Sequence, residues 1–208
     1  MRGGDFRIGV LGSGNGSNGE AIFEACARGR IPGQVVLVLT DVADAFIQER
    51  AQRRGIEARF IGPSRFKTKL EPELEEQAAR MLRDAGVQLV ALAGYMRVVK
   101  APLLGAFAGR MLNVHPSLLP KFPGLRAWEQ ALMSGAKVTG CTVHFVEEGV
   151  DSGPIILQRE VAVRDDDTPE SLHERIQRVE HEIYPEAIRL FAEGKLKIDG
   201  RTVRIIES

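Results

Sequence analysis

Residues 6–19 read FRIGVLGSGNGSNG, and their reading decides the fold. FRIGVLG (6–12) has the character of a buried strand. LGSGNGSNG (11–19) then turns the chain into a helix predicted near 18–28. Glycines at such a corner let the backbone bend tightly and bring its N–H groups close to an anion, and the helix start adds partial positive charge. Four glycines in eight positions exceed what a turn demands, so the loop predicts a phosphate site. Beyond it the pattern repeats. VVLVLT (35–40), ARFIG (58–62) and VQLVALA (87–93) read as strands, with helical patterns near 43–53 and 70–84. Strand–helix–strand repetition means βαβ units and a parallel sheet. VVLVLT is apolar on both faces, as a strand covered on both sides must be.

The second half changes character. MLNVH (111–115) is another strand, while TGCTVHFVE (139–147) and PIILQREVAV (154–163) are longer, partly alternating and read as antiparallel. A long helix is predicted from about 168 to 193. Thr168 suits its N-cap, Pro169 its first position, and Asp165, Asp166 and Asp167 its positive end. Leu172, Ile176, Val179 and Ile183 make one buried stripe. Pro185 is expected to kink or interrupt this helix. Asp199-Gly200 marks a closing hairpin. The expected class is α/β: a Rossmann-like, mostly parallel twisted sheet flanked by helices, with antiparallel strands in the C-terminal half. The 208 residues read as one domain in two halves, about 1–107 with the phosphate loop and 108–208 with the remaining chemistry.

The bulk numbers exclude several classes. The chain is 44% hydrophobic and carries 28 basic and 28 acidic residues, so it lacks the basic excess that nucleic-acid binding requires. Two cysteines, Cys26 and Cys141, make neither a disulfide framework nor a zinc cluster. No apolar run approaches a membrane span, and the N-terminus is too quickly polar for a signal peptide. These features point to a reduced cytoplasmic protein with no metal, no membrane partner and no nucleic-acid partner. They leave the oligomeric state open.

The glycine loop supports two readings. Gly14, Gly16 and Gly19 spell G-x-G-x-x-G, and Asp41 ends the second strand. On motif rules this is a dinucleotide fingerprint. Against it, Asn15, Ser17 and Asn18 suit a single terminal phosphate, and little chain remains for a substrate domain.

The richest chemistry lies in LNVHPSLLPKFPG (112–124). Asn113 and His115, two apart on a strand, project to one face. An amide and an imidazolium aimed at one point are donors for a developing oxyanion, and Pro116, Pro120 and Pro123 would hold that edge still. A carboxylate close by would favour the charged imidazole. Asp151, in EEGVDSGP (147–154), is the candidate, although on residue type alone it reads as an ordinary surface Asp. His144, among apolar neighbours in TVHFV, reads as a packed, hydrogen-bonded core histidine. His173, Gln177 and Glu180 form a polar stripe on the long helix, with His181 beside it.

LNVHPSLLPKFPG, with GSGNGSN upstream and HFVEEGVDSGPIILQ downstream, resembles the folate-dependent formyltransferases from about residue 7 to 195. The resemblance implies formyl transfer from 10-formyltetrahydrofolate, as co-substrate, to the amine of glycinamide ribonucleotide in purine synthesis. It places Asn113, His115 and Asp151 on the catalytic trio. Gly16, Ser17 and Asn18 fall on the ribonucleotide phosphate site, and Gln177 and Glu180 on further substrate contacts. Lys69, Met96, Arg97, Val98, Val99, Asn113, Glu147, Glu148, Gly149, Val150 and Asp151 fall on the folate site. Two other members, methionyl-tRNA formyltransferase and formyltetrahydrofolate deformylase, share the Asn-x-His segment but carry an additional domain that 208 residues do not accommodate. The family often has a histidine shortly after the Pro-Gly of this motif, where this chain reads GLRAWEQAL. Three alternatives stand beside this reading: a related formyl-transferring or formyl-hydrolysing folate enzyme, an NAD-dependent oxidoreductase, and a non-catalytic nucleotide-binding module.

Overall fold

The structure, a computed structural model, describes residues 6–206. The first five residues of the N-terminal stretch, and the last two of the chain, lie outside the described residues. The chain runs β1 (Phe6–Leu11), α1 (Ser17–Ala27), β2 (Gly33–Thr40), α2 (Phe46–Arg53), β3 (Ala58–Phe60), α3 (Pro72–Asp84) and β4 (Leu89–Leu92). It continues through α4 (Ala101–Ala106), β5 (Met111–His115), α5 (Ala127–Met133), β6 (Val138–Phe145), β7 (Ile155–Ala162), α6 (Pro169–Ala192), β8 (Leu196–Asp199) and β9 (Thr202–Ile205). The short helices α4 and α5 have no counterpart in the sequence reading.

The strands form one sheet in the order β3-β2-β1-β4-β5-β6-β7-β9-β8. Strands β1 to β5 are parallel. β6 runs antiparallel to β5 and to β7, as expected, while β7 pairs in parallel with β9 at Ile155. The order reverses between β2-β1 and β4-β5, so the carboxyl ends of β1 and β4 flank a topological switch point, where α/β sheets form crevices.

Two apolar layers cover the sheet. On one face Ile8 and Val10 of β1, Val38 of β2, and Leu112 and Val114 of β5 pack with Ile22, Ile47, Ile176 and Ile188 from α1, α2 and α6. On the other, Leu37 and Leu39 of β2, Val90 and Leu92 of β4, and Met111 of β5 pack with Leu82, Leu103 and Phe107 from α3 and α4. The period of two in β5 therefore sends Leu112 and Val114 one way, and Met111, Asn113 and His115 the other.

The glycine loop is shaped by packing as well as by any anion. Gly16 holds φ 75°, and a Cβ there would lie 2.6 Å from Ile47 Cβ. Only glycine meets both demands without strain. α6 begins as expected: Thr168 accepts the Ser171 N–H, and the Ser171 hydroxyl accepts the Thr168 N–H. The expected interruption at Pro185 is corrected by the structure, in which α6 is continuous over 24 residues. Pro185 is buried among Ile183, Tyr184, Ala187 and Ile188, and this packed stripe outweighs the one lost backbone bond, a cost of ~3 kcal/mol.

Tyr184 fixes the helix to the sheet. Its fully buried hydroxyl shares its hydrogen between Leu92 O and Leu112 O, at 3.0 and 2.9 Å. Tyr184→Phe removes the donor while keeping the ring, and is expected to lower stability by roughly 1–2 kcal/mol in urea unfolding; an unchanged midpoint would show that the bond contributes nothing.

Candidate active site

β5 and β6 build the centre of the site by their register. Asn113 stands opposite His144, and His115 opposite Thr142. Directly opposed residues on antiparallel strands share a face, so four polar side chains gather where the flanking Leu112, Val114, Cys141 and Val143 face the apolar layer. β7 adds Gln158 opposite Thr142.

The hydrogen bonds assign proton positions. His144 is 3% exposed, and burial pushes its imidazole below the ordinary histidine range. Its Nδ1 lies 2.7 Å from Phe145 O. A carbonyl only accepts, so Nδ1 carries the hydrogen and the neutral ring leaves Nε2 as an acceptor. Asn113 Nδ2 donates to that Nε2 at 3.2 Å, which fixes which way the amide faces. Among the described residues the second amide hydrogen has no protein partner, and Asn113 lines the adjoining cavity. His115, 5% exposed, donates from Nε2 to Phe122 O at 2.9 Å and presents Nδ1 to Asp151 Oδ2 at 3.3 Å. Acceptors against both ring nitrogens suit a doubly protonated ring. Both residues line the same cavity, but both His115 nitrogens are engaged within the protein. Of the two, the Asn113 amide is the one that keeps a hydrogen for an oxyanion.

The surrounding loops are held by the backbone. Asp151 Oδ2 accepts the Gly124 N–H at 2.8 Å, joining the 147–154 loop to the proline-rich loop. The Thr142 hydroxyl donates to Ser117 O and accepts from Leu119 N–H and Gln158 Nε2, at 2.7, 3.0 and 2.8 Å. Phe122, Arg126 and Asp151 hold φ between 51° and 55°, the left-handed region that non-glycine residues occupy at a cost. These are the three such residues among those described, and all lie in the two loops that meet at His115. Gly153 is required by close approach, since a Cβ there would stand 1.7 Å from Phe145 O.

A cavity of about 450 Å³ opens beyond β4 and β5, within the range of small-molecule sites. Met96–Val99 form one wall, and Glu147 with Gly149–Ser152 another, while Asn113, His115 and His144 line it beside them. Trp128 of α5 lines it too and stacks on His173 of α6, with ring centroids 3.7 Å apart. Two residues assigned to this site by resemblance do not line it. Lys69 places its ammonium 4.8 Å above the Phe66 ring, and Glu148 is exposed, its carbonyl accepting the Ser152 hydroxyl.

A family model described as formyl transferase matches residues 6–188. The chain belongs to the formyl transferase family. Phosphoribosylglycinamide formyltransferase of Escherichia coli is 43% identical over 191 residues, covering 91% of this chain and 88% of that protein. The trifunctional purine biosynthetic protein adenosine-3 of Homo sapiens is 41% identical over 192 residues, and this chain spans 19% of its length. The crystal structure of glycinamide ribonucleotide transformylase 1 from Symbiobacterium toebii superposes with a TM-score of 0.93 at 55% identity, covering 97% of this chain and 94% of that one.

In this formyl transferase, a second polar cluster lies at the start of α1. Gly16 is the N-cap and offers no side-chain acceptor, so the first N–H groups of α1 have no intrahelical partner. Asn18 Nδ2 donates to Glu180 Oε2 at 2.9 Å, and Asn18 Oδ1 is buried without a partner. Gln177 sits one turn before Glu180 on α6. The rival dinucleotide reading fails at Asp41, whose carboxylate is occupied by Ser13 and Arg97 and is not free for a ribose.

His144 is the site residue that sequence reasoning assigned to the core alone. It is packed and hydrogen-bonded, as read, but the Asn113 contact depends on a register that TVHFV does not reveal.

Burial raises the Glu180 carboxyl to about 7 from 4.5. A raised carboxyl keeps a proton in the native state that the unfolded chain has already released. The associated stability is therefore complete below about pH 4.5 and is lost as pH rises through 7, by about 3 kcal/mol. Glu180→Gln keeps an oxygen for Asn18 and removes the titration. Relative to the parent protein it is expected to gain stability at pH 8 but not at pH 4.5 in urea unfolding. An equal difference at both pH values would contradict this assignment.

Proposed function

We propose that this chain transfers the formyl group of 10-formyltetrahydrofolate to the amine of glycinamide ribonucleotide, a step of de novo purine synthesis. The observation that carries the reading is the Asn113–His115–Asp151 arrangement on the rim of a folate-sized cavity in a formyl transferase fold. The names of the relatives support the acceptor, as does the polar cluster at Asn18 and Glu180, which suits a phosphoribosyl amine. Free thiols at Cys26 and Cys141 agree with a reducing cytoplasmic setting.

The chemistry follows from the site. The amine lone pair attacks the formyl carbon, and the carbonyl electrons move to oxygen. The Asn113 amide donates to this oxyanion, and the His115 imidazolium, held by Asp151, offsets its charge. Collapse re-forms the carbonyl and breaks the bond to the folate nitrogen. One proton passes from the attacking amine to that nitrogen, with Asp151 or a water it holds as the relay. In this reading the Glu180 carboxylate, titrating near neutrality, receives the amine end of the acceptor. None of these steps calls for a metal.

Purified protein mixed with both substrates should release deformylated folate, followed by absorbance, only when the ribonucleotide is present. Turnover without acceptor would instead make the protein a formyl-folate hydrolase, and no turnover would contradict the proposal. His115→Ala and Asp151→Asn should each lower kcat about 100- to 1000-fold in folded protein. A near-normal rate in either would remove that residue from the mechanism.

A further inference from the structure

Asp41 takes no part in the steps above, yet it is heavily engaged. Its side chain is 2% exposed at the end of β2. Oδ1 accepts the Ser13 hydroxyl and Oδ2 accepts Arg97 Nε–H, each at 2.5 Å. Ser13 Oγ in turn accepts the Met96 N–H at 2.8 Å, and Ser13 N–H donates to Gly94 O at 3.1 Å. Arg97, 14% exposed along its side chain, also donates to Phe66 O, and Val98 N–H donates to Thr68 O at 2.8 Å. One buried carboxylate thus connects the start of the glycine loop, the cavity wall at 96–98 and the 66–68 segment.

We propose that Asp41 is a positioning residue for the formyl donor: it holds Arg97 and Met96 as one cavity wall and ties that wall to the glycine loop. The proposal rests on the formyl-transfer reading above, which makes the cavity the donor site.

The donor and acceptor inventory explains why a carboxylate is needed. Two donors converge on Asp41, one at each oxygen. An asparagine has a single acceptor oxygen, so either Ser13 or Arg97 would face an N–H. Ser13 could take the amide N–H on its second lone pair, but its own hydrogen would then lose the carboxylate, and in either orientation of the amide Arg97 loses its counter-charge. The guanidinium would be left poorly paired in a nearly buried setting and would turn away, taking the 96–98 wall with it. Among the described residues Asp41 makes no hydrogen bond or ion pair with Asn113, His115 or Asp151. Its loss should therefore weaken donor binding while sparing the chemical step, the pattern of a raised KM with kcat retained.

The test compares Asp41→Asn, Ser13→Ala and the double variant with the parent protein. The readouts are KM for formyl-folate at saturating ribonucleotide, and a calorimetric Kd for a stable 10-formyl folate analogue, which needs no turnover. Asp41→Asn is expected to raise both constants about tenfold with kcat within about threefold, and Ser13→Ala to raise them about threefold. The double variant should be no weaker than Asp41→Asn alone, because both changes cut one bridge. Unchanged constants in either folded variant, or fully additive effects in the double variant, would overturn the proposal, even where the thermal midpoint falls. If Asp41→Asn does not fold, Ser13→Ala decides by the same criteria. A parent protein that binds the analogue without turning over refutes the transfer reading, and calorimetry then decides the role of Asp41. A parent protein that binds no analogue overturns both.

Discussion

The antiparallel ladder between β5 and β6 is the constraint on which the site depends. Asn113 faces His144 and His115 faces Thr142 because Leu112, Val114, Cys141 and Val143 claim the opposite, apolar face. A slip of one residue would exchange the two faces, driving histidines into the apolar layer and aliphatic residues into the cavity. Burial of apolar surface therefore selects the register, and the register assembles the polar group. On its other edge β5 pairs in parallel with β4, setting Asn113 beside Leu92, so the same strand end reaches the crevice at the switch point.

What the ladder assembles, buried polar contacts then orient. His144 has one hydrogen and one lone pair, and both are used, toward Phe145 O and from Asn113. Thr142 spends its single hydrogen on Ser117 O and its oxygen on Leu119 and Gln158. The proline-rich loop is thus held by side chains from β6 and β7 as well as by its prolines. The backbone cost appears in the same place, at Phe122, Arg126 and Asp151. Strain of this kind persists only where the surroundings overdetermine the geometry, as the Gly124–Asp151 and His115–Phe122 contacts do here.

Much of the fold was legible because its signals are local. The β1–glycine–α1 corner, the doubly buried β2 and the Thr168 cap each announce themselves within a few residues. α4 and α5 were not, since APLLGA and AWEQALM are too short to show a period. Pro185 does not interrupt α6, because its cost is local while the packing that offsets it is tertiary. In the site, Asn113 and His115 were legible from their spacing. Asp151 was reached through family resemblance, since nothing around it distinguishes it from a surface Asp. The role of His144 depends on cross-strand pairing, which no single segment encodes. Asp41 fitted a dinucleotide motif by position, and only the placement of Ser13 and Arg97 shows what occupies it.

The central claim is that a neutral, Nδ1-protonated His144 orients Asn113 toward the cavity. It is tested most directly by long-range proton–nitrogen NMR on the ring nitrogens of His144 in ligand-free protein at neutral pH. The account predicts a protonated Nδ1 and an unprotonated Nε2, with the Nε2 signal shifting in Asn113→Ala. A protonated Nε2 would contradict it, because that nitrogen could not then accept the Asn113 amide.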